Sequence, residues 1–287
     1  MYFSAEQLNN IQLNGVFFVD EIYSRQHAHM VHKHEGILEL LYISKGEGRY
    51  IVGNRGYVIS EGDLVICNAG TFHGEAPFSK HPIETYCIAL SGVKTDKLDL
   101  GCLIKTEQRP VLALNEMASV ISQSMKNIYK LFTETKDNLP ICRQFSLGVL
   151  MIIQKLIFEH IYQGNIASEQ KNEYLIRKIT QYLNNNYTKQ LTLKKISQEM
   201  HISETYLSHL FKRETGLSPI QYVIHCRIGE AQSLLMETQL PIYEIEERLG
   251  FGSSCHLTTM FKKYVGISPR EYRKHFITEK NKKEITD

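Results

Sequence analysis

Apolar residues are spaced in two different ways along this 287-residue chain, first as in strands and then as in helices. Between residues 15 and 110, short runs rich in Val, Ile, Tyr and Phe alternate with glycine-containing turns, and this pattern predicts β-strands. The predicted strands are Gly15–Val19, Leu38–Ile43, Gly48–Val52, Gly56–Ile59, Asp63–Ile66 and Glu84–Leu90. Many short strands at this spacing are typical of an antiparallel barrel or jelly roll, which we expect residues 1–110 to form.

Beyond residue 111 the apolar residues take the period of a helix. Residues 112–135 and 141–162 repeat apolar positions every three to four residues, and a polar break ending in Pro140 separates the two segments. We therefore expect a helical hairpin over residues 111–163. Its apolar faces are wider than one contact with the barrel needs, which favours a homodimer over simple packing on the barrel.

The last third of the chain contains a repeated phrase. FKRETGLSP begins at Phe211, and FKKYVGISP begins fifty positions later at Phe261. A repeated phrase indicates a repeated structural unit, and each copy here has the apolar spacing of two short helices joined by a turn. We expect this all-α domain to span residues 173–278, after a polar linker at 164–172 and before a frayed, charged tail at 279–287.

Capping residues predict where the second helix of each copy begins and ends. In the first copy, Ser203 is suited to cap the N-terminus of this helix, and Gly216 is suited to a left-handed C-terminus. In the second copy, Ser253 takes the place of Ser203, and the preceding turn carries one extra residue. Glycine tolerates positive φ, so either Gly250 or Gly252 is expected to accommodate that residue.

The second helix of each copy presents small and polar side chains outward, as a recognition helix does in the major groove of DNA. The outward residues that we expect to read bases are Thr205, Ser208, His209, Ser254, Cys255, Thr258 and Thr259. The residues that we expect to contact phosphates are Lys194, Lys212, Arg213, Lys262 and Lys263. Two units in register with matched basic ends favour DNA binding over a pair of ordinary helical hairpins.

Residues 175–276 resemble the DNA-binding domain of the AraC/XylS family of bacterial transcription regulators. The matching phrases are LTL at 191–193, YLSHLFK at 206–212, RIGEA at 227–231, LL at 234–235, LGF at 249–251, FKK at 261–263 and SPREYR at 268–273. The resemblance implies two helix-turn-helix units joined by a long helix, here about Pro219 to Met236, that enter successive major grooves ~34 Å apart. It also implies double-stranded promoter DNA as a partner, RNA polymerase as a further partner and a cytoplasmic location.

Two positions depart from the family pattern. The first helix of each unit usually carries a small alanine, where this chain has Ser197 and Glu246. A buried carboxylate is costly unless it is paired, and we expect either a shift of the helix or a cation such as Arg248 to compensate Glu246. The reading face of the second unit also lacks Arg, Asn and Gln, so we expect the first unit to discriminate between sequences and the second mainly to contact phosphates.

Within the expected barrel, two segments resemble the two cupin motifs. The pattern His-x-His-x4-Glu-x6-Gly spans residues 32–46, and Gly-x5-Pro-x-Gly-x2-His spans residues 62–73 with Asn68 in place of the proline. The side chains that carry chemistry in these motifs are His32, His34, Glu39 and His73. The resemblance therefore implies a cupin-like fold for the N-terminal domain.

These four side chains are compatible with two kinds of ligand. In metal-binding cupins the same positions hold a divalent ion, and three imidazoles with one carboxylate are a competent set for Zn, Mn, Fe, Ni or Cu. Regulators of the AraC/XylS family usually bind small effectors in this fold without a metal. We therefore expect no cofactor and a small polar effector, such as a sugar, hydrogen-bonded by the four residues, with a divalent metal as the alternative.

Composition and charge are consistent with this division into two domains. From residue 170 onward lie 18 of the 33 Lys and Arg but 13 of the 31 Asp and Glu, so the positive excess falls on the side of the repeat. No apolar run reaches the ~18 residues of a membrane span, and no signal peptide is visible at the N-terminus. The six cysteines lack a C-x-x-C pair and are expected to be reduced thiols.

Three functions fit these observations. The first is a ligand-responsive transcription regulator without enzymatic activity, either an activator or a repressor, in which an effector in the cupin changes the placement of the DNA-binding domain. Such a switch requires that the effector bind two states with different affinity. The second is a metal-dependent cupin enzyme, such as a dioxygenase or isomerase, fused to a DNA-binding module. The third is a constitutive DNA-binding protein whose cupin only dimerises.

Overall fold

The computed structural model describes residues 3–20, 31–75, 83–162, 171–252 and 254–274. The strands are β1 Gln12–Val19, β2 Ile37–Lys45, β3 Glu47–Val52, β4 Arg55–Ser60, β5 Asp63–Cys67, β6 His73–Glu75, β7 Glu84–Ser91 and β8 Val111–Ala113. The α-helices are α1 Ala5–Asn10, α2 Ala118–Glu134, α3 Leu139–Tyr162, α4 Lys171–Asn186, α5 Leu193–Met200, α6 Glu204–Thr215, α7 Pro219–Glu237, α8 Ile242–Arg248 and α9 Ser254–Val265. Residues 269–274 are also helical.

The strands form two antiparallel sheets, which confirms the expected cupin-like fold. One sheet has the order β1-β7-β2-β5-β8, and the other has the order β4-β3-β6. Successive side chains of β2 point to opposite faces of the first sheet, so the two faces contribute to two different hydrophobic cores. Leu40 packs toward the helical hairpin, while Leu41 and Ile43 pack toward the second sheet. The six predicted strands correspond to β1 to β5 and β7, whereas β6 and β8 are too short for a periodic pattern.

Helices α2 and α3 form the expected hairpin and cover the outer face of the five-stranded sheet. Ile121, Met125 and Ile128 of α2 are buried in the same cluster as Leu40. Pro140 lies in the first turn of α3, where a missing backbone N–H removes no helical hydrogen bond. The polar break predicted before α3 is a short 3-10 turn at Lys136–Asn138, which Thr135 caps.

Among the described residues, one helical stretch, Lys136–Glu159, is long and apolar enough to cross a membrane by length and composition alone. One face of this stretch packs in the core of the fold, where Leu150 and Ile153 are buried against the sheet domain. Its apolar content reflects two faces, one packed on the barrel and one exposed at residues such as Phe145.

Capping in the helical domain follows the predicted pattern. The side chain of Ser203 accepts a hydrogen bond from the backbone N–H of Tyr206, and Gly216 ends α6 with φ of 84°. The turn of the first unit has His201 in the left-handed region at φ 54°, and the second turn has Gly250 there at φ 69°. The backbone N–H groups of His201 and Ile202 make the same hydrogen bonds as those of Gly250 and Phe251, 49 positions later, so Gly250 is the counterpart of His201. The extra residue therefore falls after Phe251, which leaves Gly252 of the two candidate glycines. Ser253, the cap expected in the second unit, lies outside the described residues.

Helix α4 begins earlier than the sequence indicated. The predicted linker ran from 164 to 172, but α4 begins at Lys171 because the helical period of the domain extends to that residue. Residues 163–170 and the expected tail at 279–287 lie outside the described part of the chain.

Candidate functional site

Four side chains of the cupin domain converge as the motif spacing predicted. One ligand atom from each of His32, His34, Glu39 and His73 lies within 4.8 Å of the others. The Nε2 atom of His73 is 2.9 Å from Oε2 of Glu39, and Nε2 of His34 is 3.5 Å from Oε1 of the same carboxylate. The rings of His32 and His73 have centroids 4.6 Å apart. We refer to these four residues as the His–Glu cluster.

Local backbone structure explains why residues from two distant motifs meet. Glu39 belongs to β2 and shares the inward alternation of Leu41 and Ile43. His73 begins β6, and its backbone pairs with that of His32 in an isolated antiparallel bridge. Both bridge hydrogen bonds are short, with the N–H of His32 2.9 Å from the carbonyl oxygen of His73 and the reciprocal pair 2.8 Å apart.

Backbone contacts orient the imidazole of His73 toward the cluster. Its Nδ1 lies 2.8 Å from the carbonyl oxygen of Thr71, so Nδ1–H donates to that oxygen. The other ring nitrogen of His73, Nε2, therefore faces Glu39. A second hydrogen bond of this kind is how metal-binding histidines are commonly held in one orientation.

The carboxyl group of Glu39 is ionised in this setting. Burial by itself would raise its pKa, but the hydrogen bond from His73 and the charges of His73, His32 and His34 outweigh burial and lower the pKa to about 2. An ionised carboxylate and an imidazole nitrogen at 2.9 Å need a proton or a cation between them. The cluster is therefore suited to a positively charged or hydrogen-bond-donating occupant.

The donor set fits a divalent metal ion. Ligand atoms about 2.0–2.2 Å from a tetrahedral zinc ion lie about 3.3–3.6 Å from one another, and the cluster atoms lie within 4.8 Å. Two buried thiols nearby, Cys67 and Cys87, are less suited to ligate, because burial and then the charge of Glu39 raise their pKa well above the ordinary value. Three imidazoles and one carboxylate are thus the competent ligands here.

Asn68 shows what replaces the proline of the cupin motif. Its Nδ2 donates to the carbonyl oxygen of Ile104 at 2.7 Å, and its Oδ1 accepts from the backbone N–H of Leu103 at 3.0 Å. The side chain thereby attaches the segment after β7 to the turn that precedes β6. The substitution was visible in the sequence, but its partner segment was not.

The first recognition helix, α6, exposes most of the residues assigned to bases. Thr205 and His209 are exposed and Ser208 is half-buried, because Leu207, Leu210 and Phe211 face the core. Lys212 is exposed at the C-terminal end, while Arg213 pairs with its neighbour Glu214 at 2.8 Å.

The second recognition helix, α9, repeats this arrangement. Cys255 and Thr259 are exposed, and Thr258 is half-buried. Lys262 and Lys263 are exposed in the last turn, and Lys194 is exposed on α5 of the first unit. The side chain of Ser254 lies outside the described residues, although its backbone begins α9.

Glu246 is buried, as its position predicted, but Arg248 does not compensate it. The residue is 8% exposed on α8. The Nη2 atom of Arg248 lies 2.7 Å from Oε1 of Glu244, one turn earlier on the same helix. Positions i and i+4 face each other on a helix, whereas i and i+2 do not, which is why Glu244 is the partner.

Sequence reasoning missed Arg227, a buried cation that holds the helical domain together. Its Nε donates to the carbonyl oxygen of Tyr187 at 2.6 Å, and its Nη2 donates to that of Lys189 at 2.7 Å. The guanidinium carbon also lies 5.5 Å from the centre of the Phe251 ring in the second turn. Arg227 was part of a matched family phrase, but its sequence neighbours do not reveal these partners.

Comparisons with known proteins agree with this two-part architecture. A family model described as a helix-turn-helix domain matches residues 196–275, and one described as a cupin domain matches residues 23–89. The uncharacterized HTH-type transcriptional regulator YdiP of Escherichia coli K12 is 31% identical over 248 residues, covering 85% of this chain and 81% of YdiP. These matches define the class as a transcription regulator with an N-terminal cupin domain.

Two further relatives have narrower or weaker similarity. The lactose operon transcription activator of Staphylococcus xylosus is 23% identical over 242 residues, covering 82% of each chain. The structure of the C-terminal domain of AraT, a response regulator from Geobacillus stearothermophilus, is 34% identical and covers 37% of this chain and 88% of that domain, with a TM-score of 0.36. On the sequence matches, the chain belongs to the AraC/XylS family of DNA-binding transcription regulators.

Proposed function

We propose that this chain is a sequence-specific transcription regulator switched by a small polar effector bound at the His–Glu cluster. The observation that carries the proposal is the convergence of three imidazoles and a buried carboxylate within 4.8 Å, in a chain of a DNA-binding family. Thr205, Ser208, His209, Ser254, Cys255, Thr258 and Thr259 read bases. Lys194, Lys212, Arg213, Lys262 and Lys263 contact phosphates.

The chemistry of the cluster favours an effector rich in oxygen donors, such as a sugar. Hydroxyl groups donate to the Glu39 carboxylate and accept from the imidazoles. The name of the lactose operon activator supports a sugar in that relative, with 23% identity to this chain. A divalent ion held by His32, His34, Glu39 and His73 is the second candidate, which the compact spacing of the donors favours. Such an ion would act as a Lewis acid that anchors effector oxygens.

We assign no enzymatic activity to the cupin domain. The relatives that support the family are named as transcription regulators, and imidazoles with a carboxylate can bind a ligand without turning it over. The alternative enzyme, a dioxygenase or isomerase, would require turnover that depends on the metal. Whether or not the cupin domain turns over a ligand, we place the action of the protein in the cytoplasm, where its proposed partners are promoter DNA and RNA polymerase.

An exposed apolar face of α3 supports a homodimer. Ile141, Phe145, Met151 and Phe158 are 48%, 47%, 38% and 46% exposed. They follow one another at intervals of four, six and seven residues, which spreads them over about 140° of the helix circumference, and Gly148 lies in open space within that range. The extent of this apolar surface suits a second copy of the chain, which would bring two DNA-binding domains together.

The cluster assignment is tested on the full chain with purified His73→Ala as the variant. DNA sites are first selected from a random duplex pool, and the affinity of the wild type for them is measured with a panel of sugars and, separately, with Zn²⁺. We expect at least one of these ligands to change DNA affinity in the wild type and to have no effect in His73→Ala. An equal response in both proteins would remove the cluster as the sensor, and ligand turnover would favour the enzyme.

A further inference from the structure

The His–Glu cluster and the contact between the two domains share one short piece of backbone. His32 and His73 pair in the antiparallel bridge described above. Their preceding residues, Val31 and Phe72, are 0% and 3% exposed and pack in one hydrophobic cluster with Tyr222 of α7. Because successive side chains of an extended chain point to opposite sides, cluster ligands lie on one side of the bridge and interdomain contacts on the other.

Helix α7 approaches this bridge so closely that it needs a glycine. A Cβ atom at Gly229 would lie 2.5 Å from the carbonyl oxygen of Val31 and 3.0 Å from the Cβ of His32. Glycine is unfavourable in the middle of a helix, so its presence there is explained by the close approach. The helix that joins the two helix-turn-helix units is thus in contact with a residue of the His–Glu cluster.

A second part of the cupin domain extends the same contact. The hydroxyl of Tyr222 donates to the carbonyl oxygen of Gly53 at 3.3 Å in the β3–β4 turn. Next to it, a Cβ atom at Gly56 would lie 3.0 Å from the carbonyl oxygen of Thr215, the last residue of α6. The docked surface therefore reaches from the bridge to the end of the first recognition helix.

We infer that occupancy of the His–Glu cluster is coupled to docking of α7 on the cupin domain. An ion held by all four ligands joins the segment of His32 and His34 to the strands of Glu39 and His73. It thereby holds the backbone of Val31 and His32 where α7 contacts it, and so stabilises the docked arrangement. By thermodynamic linkage, docking must raise the affinity of the cluster for the ion by the same factor.

This coupling rests on the proposed function only in that the cluster binds a ligand. It adds the route by which binding reaches the DNA-binding domain. Helix α7 joins the two units, and Arg227 on it holds the turn that follows α4. A change in docking at α7 therefore acts on the element that sets the relative placement of both recognition helices.

The test uses Zn²⁺ as the probe and the full chain, stripped of metal beforehand. Gly229→Ala places a methyl group against the Val31 carbonyl, whereas Gly148→Ala places one in open space on α3. Both replacements raise helix propensity, so they are matched. We expect Gly229→Ala to weaken Zn²⁺ binding by about fivefold or more in calorimetric titrations, the range usual for coupled sites, and Gly148→Ala to leave it unchanged.

Gly56→Val separates coupling through docking from a local effect on His32. This residue is on β4, contacts the end of α6 and supplies no atom to the cluster. Coupling predicts weaker Zn²⁺ binding for Gly56→Val as well, together with faster amide exchange in α7. It also predicts that Zn²⁺ slows amide exchange in α7 of the wild type more than in either docking variant.

The outcomes distinguish the two proposals. If the wild type binds Zn²⁺ and His73→Ala does not, the cluster assignment stands; equal Zn²⁺ affinity in Gly229→Ala and the wild type would then overturn the coupling alone. Weaker binding in Gly229→Ala but not in Gly56→Val would also overturn it, since the effect would be local. If Zn²⁺ binding does not depend on His73, the metal assignment of the cluster and the coupling both fail, whereas the sugar assignment is decided by the DNA-affinity test on the wild type and His73→Ala.

Discussion

At the scale of single residues, the neighbours of a side chain decide what it does. Glu39 and Glu246 are both buried carboxylates, at 8% exposure each. Glu39 faces three imidazoles, which hold its pKa far below the usual range, whereas the nearest cation on the helix of Glu246 pairs with Glu244. Convergent partners make Glu39 a candidate binding residue, whereas the described contacts of Glu246 give it no comparable role.

Residues assigned to bases and to phosphates differ in their expected effect on DNA binding. Lys262→Ala should weaken binding to all sequences and reduce the slope of log affinity against log salt by about one, because one phosphate contact is lost. His209→Ala should instead relax the preference at one or two base pairs and leave the salt slope unchanged. Salt titrations and site selection on both variants measure this. An unaltered slope for Lys262→Ala contradicts its phosphate role, and unaltered site selection contradicts the base-reading role of His209.

At the scale of elements, the two helix-turn-helix units are built from repeated caps. Ser218 and Gln221 cap α7 reciprocally, and fifty residues later Ser268 and Glu271 do the same, with backbone-to-side-chain distances of 2.8 and 3.3 Å. Short-range signals of this kind are readable from sequence because both partners lie within one turn. Between elements the situation differs, since α7 packs His225 against Tyr264 of α9 with ring centroids 4.8 Å apart.

His225 makes the stability of the helical domain depend on pH. It is 2% exposed, and burial lowers its pKa to about 4. The neutral form is therefore favoured on folding. The contribution of the neutral imidazole to the free energy of unfolding is complete above the unfolded pKa of about 6.5 and is lost as pH falls toward 4, by up to about 3 kcal/mol.

In urea unfolding at pH 7.5 and 5.0, His225→Leu should lose less stability than the wild type on acidification. The exposed His256→Gln is the control, and equal losses in the wild type and His225→Leu would contradict the assignment.

At the scale of the whole molecule, two surfaces carry the proposals on domain docking and on dimerisation. The docked face of the cupin domain contacts α7, and the exposed face of α3 is directed away from the barrel core. The His–Glu cluster is adjacent to the first surface and separated from the second by the five-stranded sheet and the helical hairpin. Ligand binding is therefore expected to alter domain placement within a chain more than the association of chains.

The proposed dimer face has a direct test in a single charged replacement. Phe145→Asp puts a carboxylate at the centre of the apolar face of α3, where desolvating it on association is costly. We expect dissociation into monomers, with dimer affinity reduced at least about tenfold, in sedimentation velocity runs over a range of concentrations. Leu100→Asp alters a residue that is 56% exposed elsewhere and is the matched control. A Phe145→Asp protein that stays dimeric would exclude this face.

The sequence by itself determined the longer strands and helices, their order, the family and the four residues of the His–Glu cluster. Helical and strand periods, caps such as Ser203, and motif spacings depend on residues close together in the chain, so they are legible one segment at a time. Tertiary structure alone decided that Arg227 donates to the carbonyl oxygens of Tyr187 and Lys189, that Asn68 holds the segment at Ile104, and that α7 contacts His32. The physical reason is range: these contacts join segments up to about two hundred residues apart, as at Val31 and Gly229, and sequence periodicity carries no information about which distant surfaces meet.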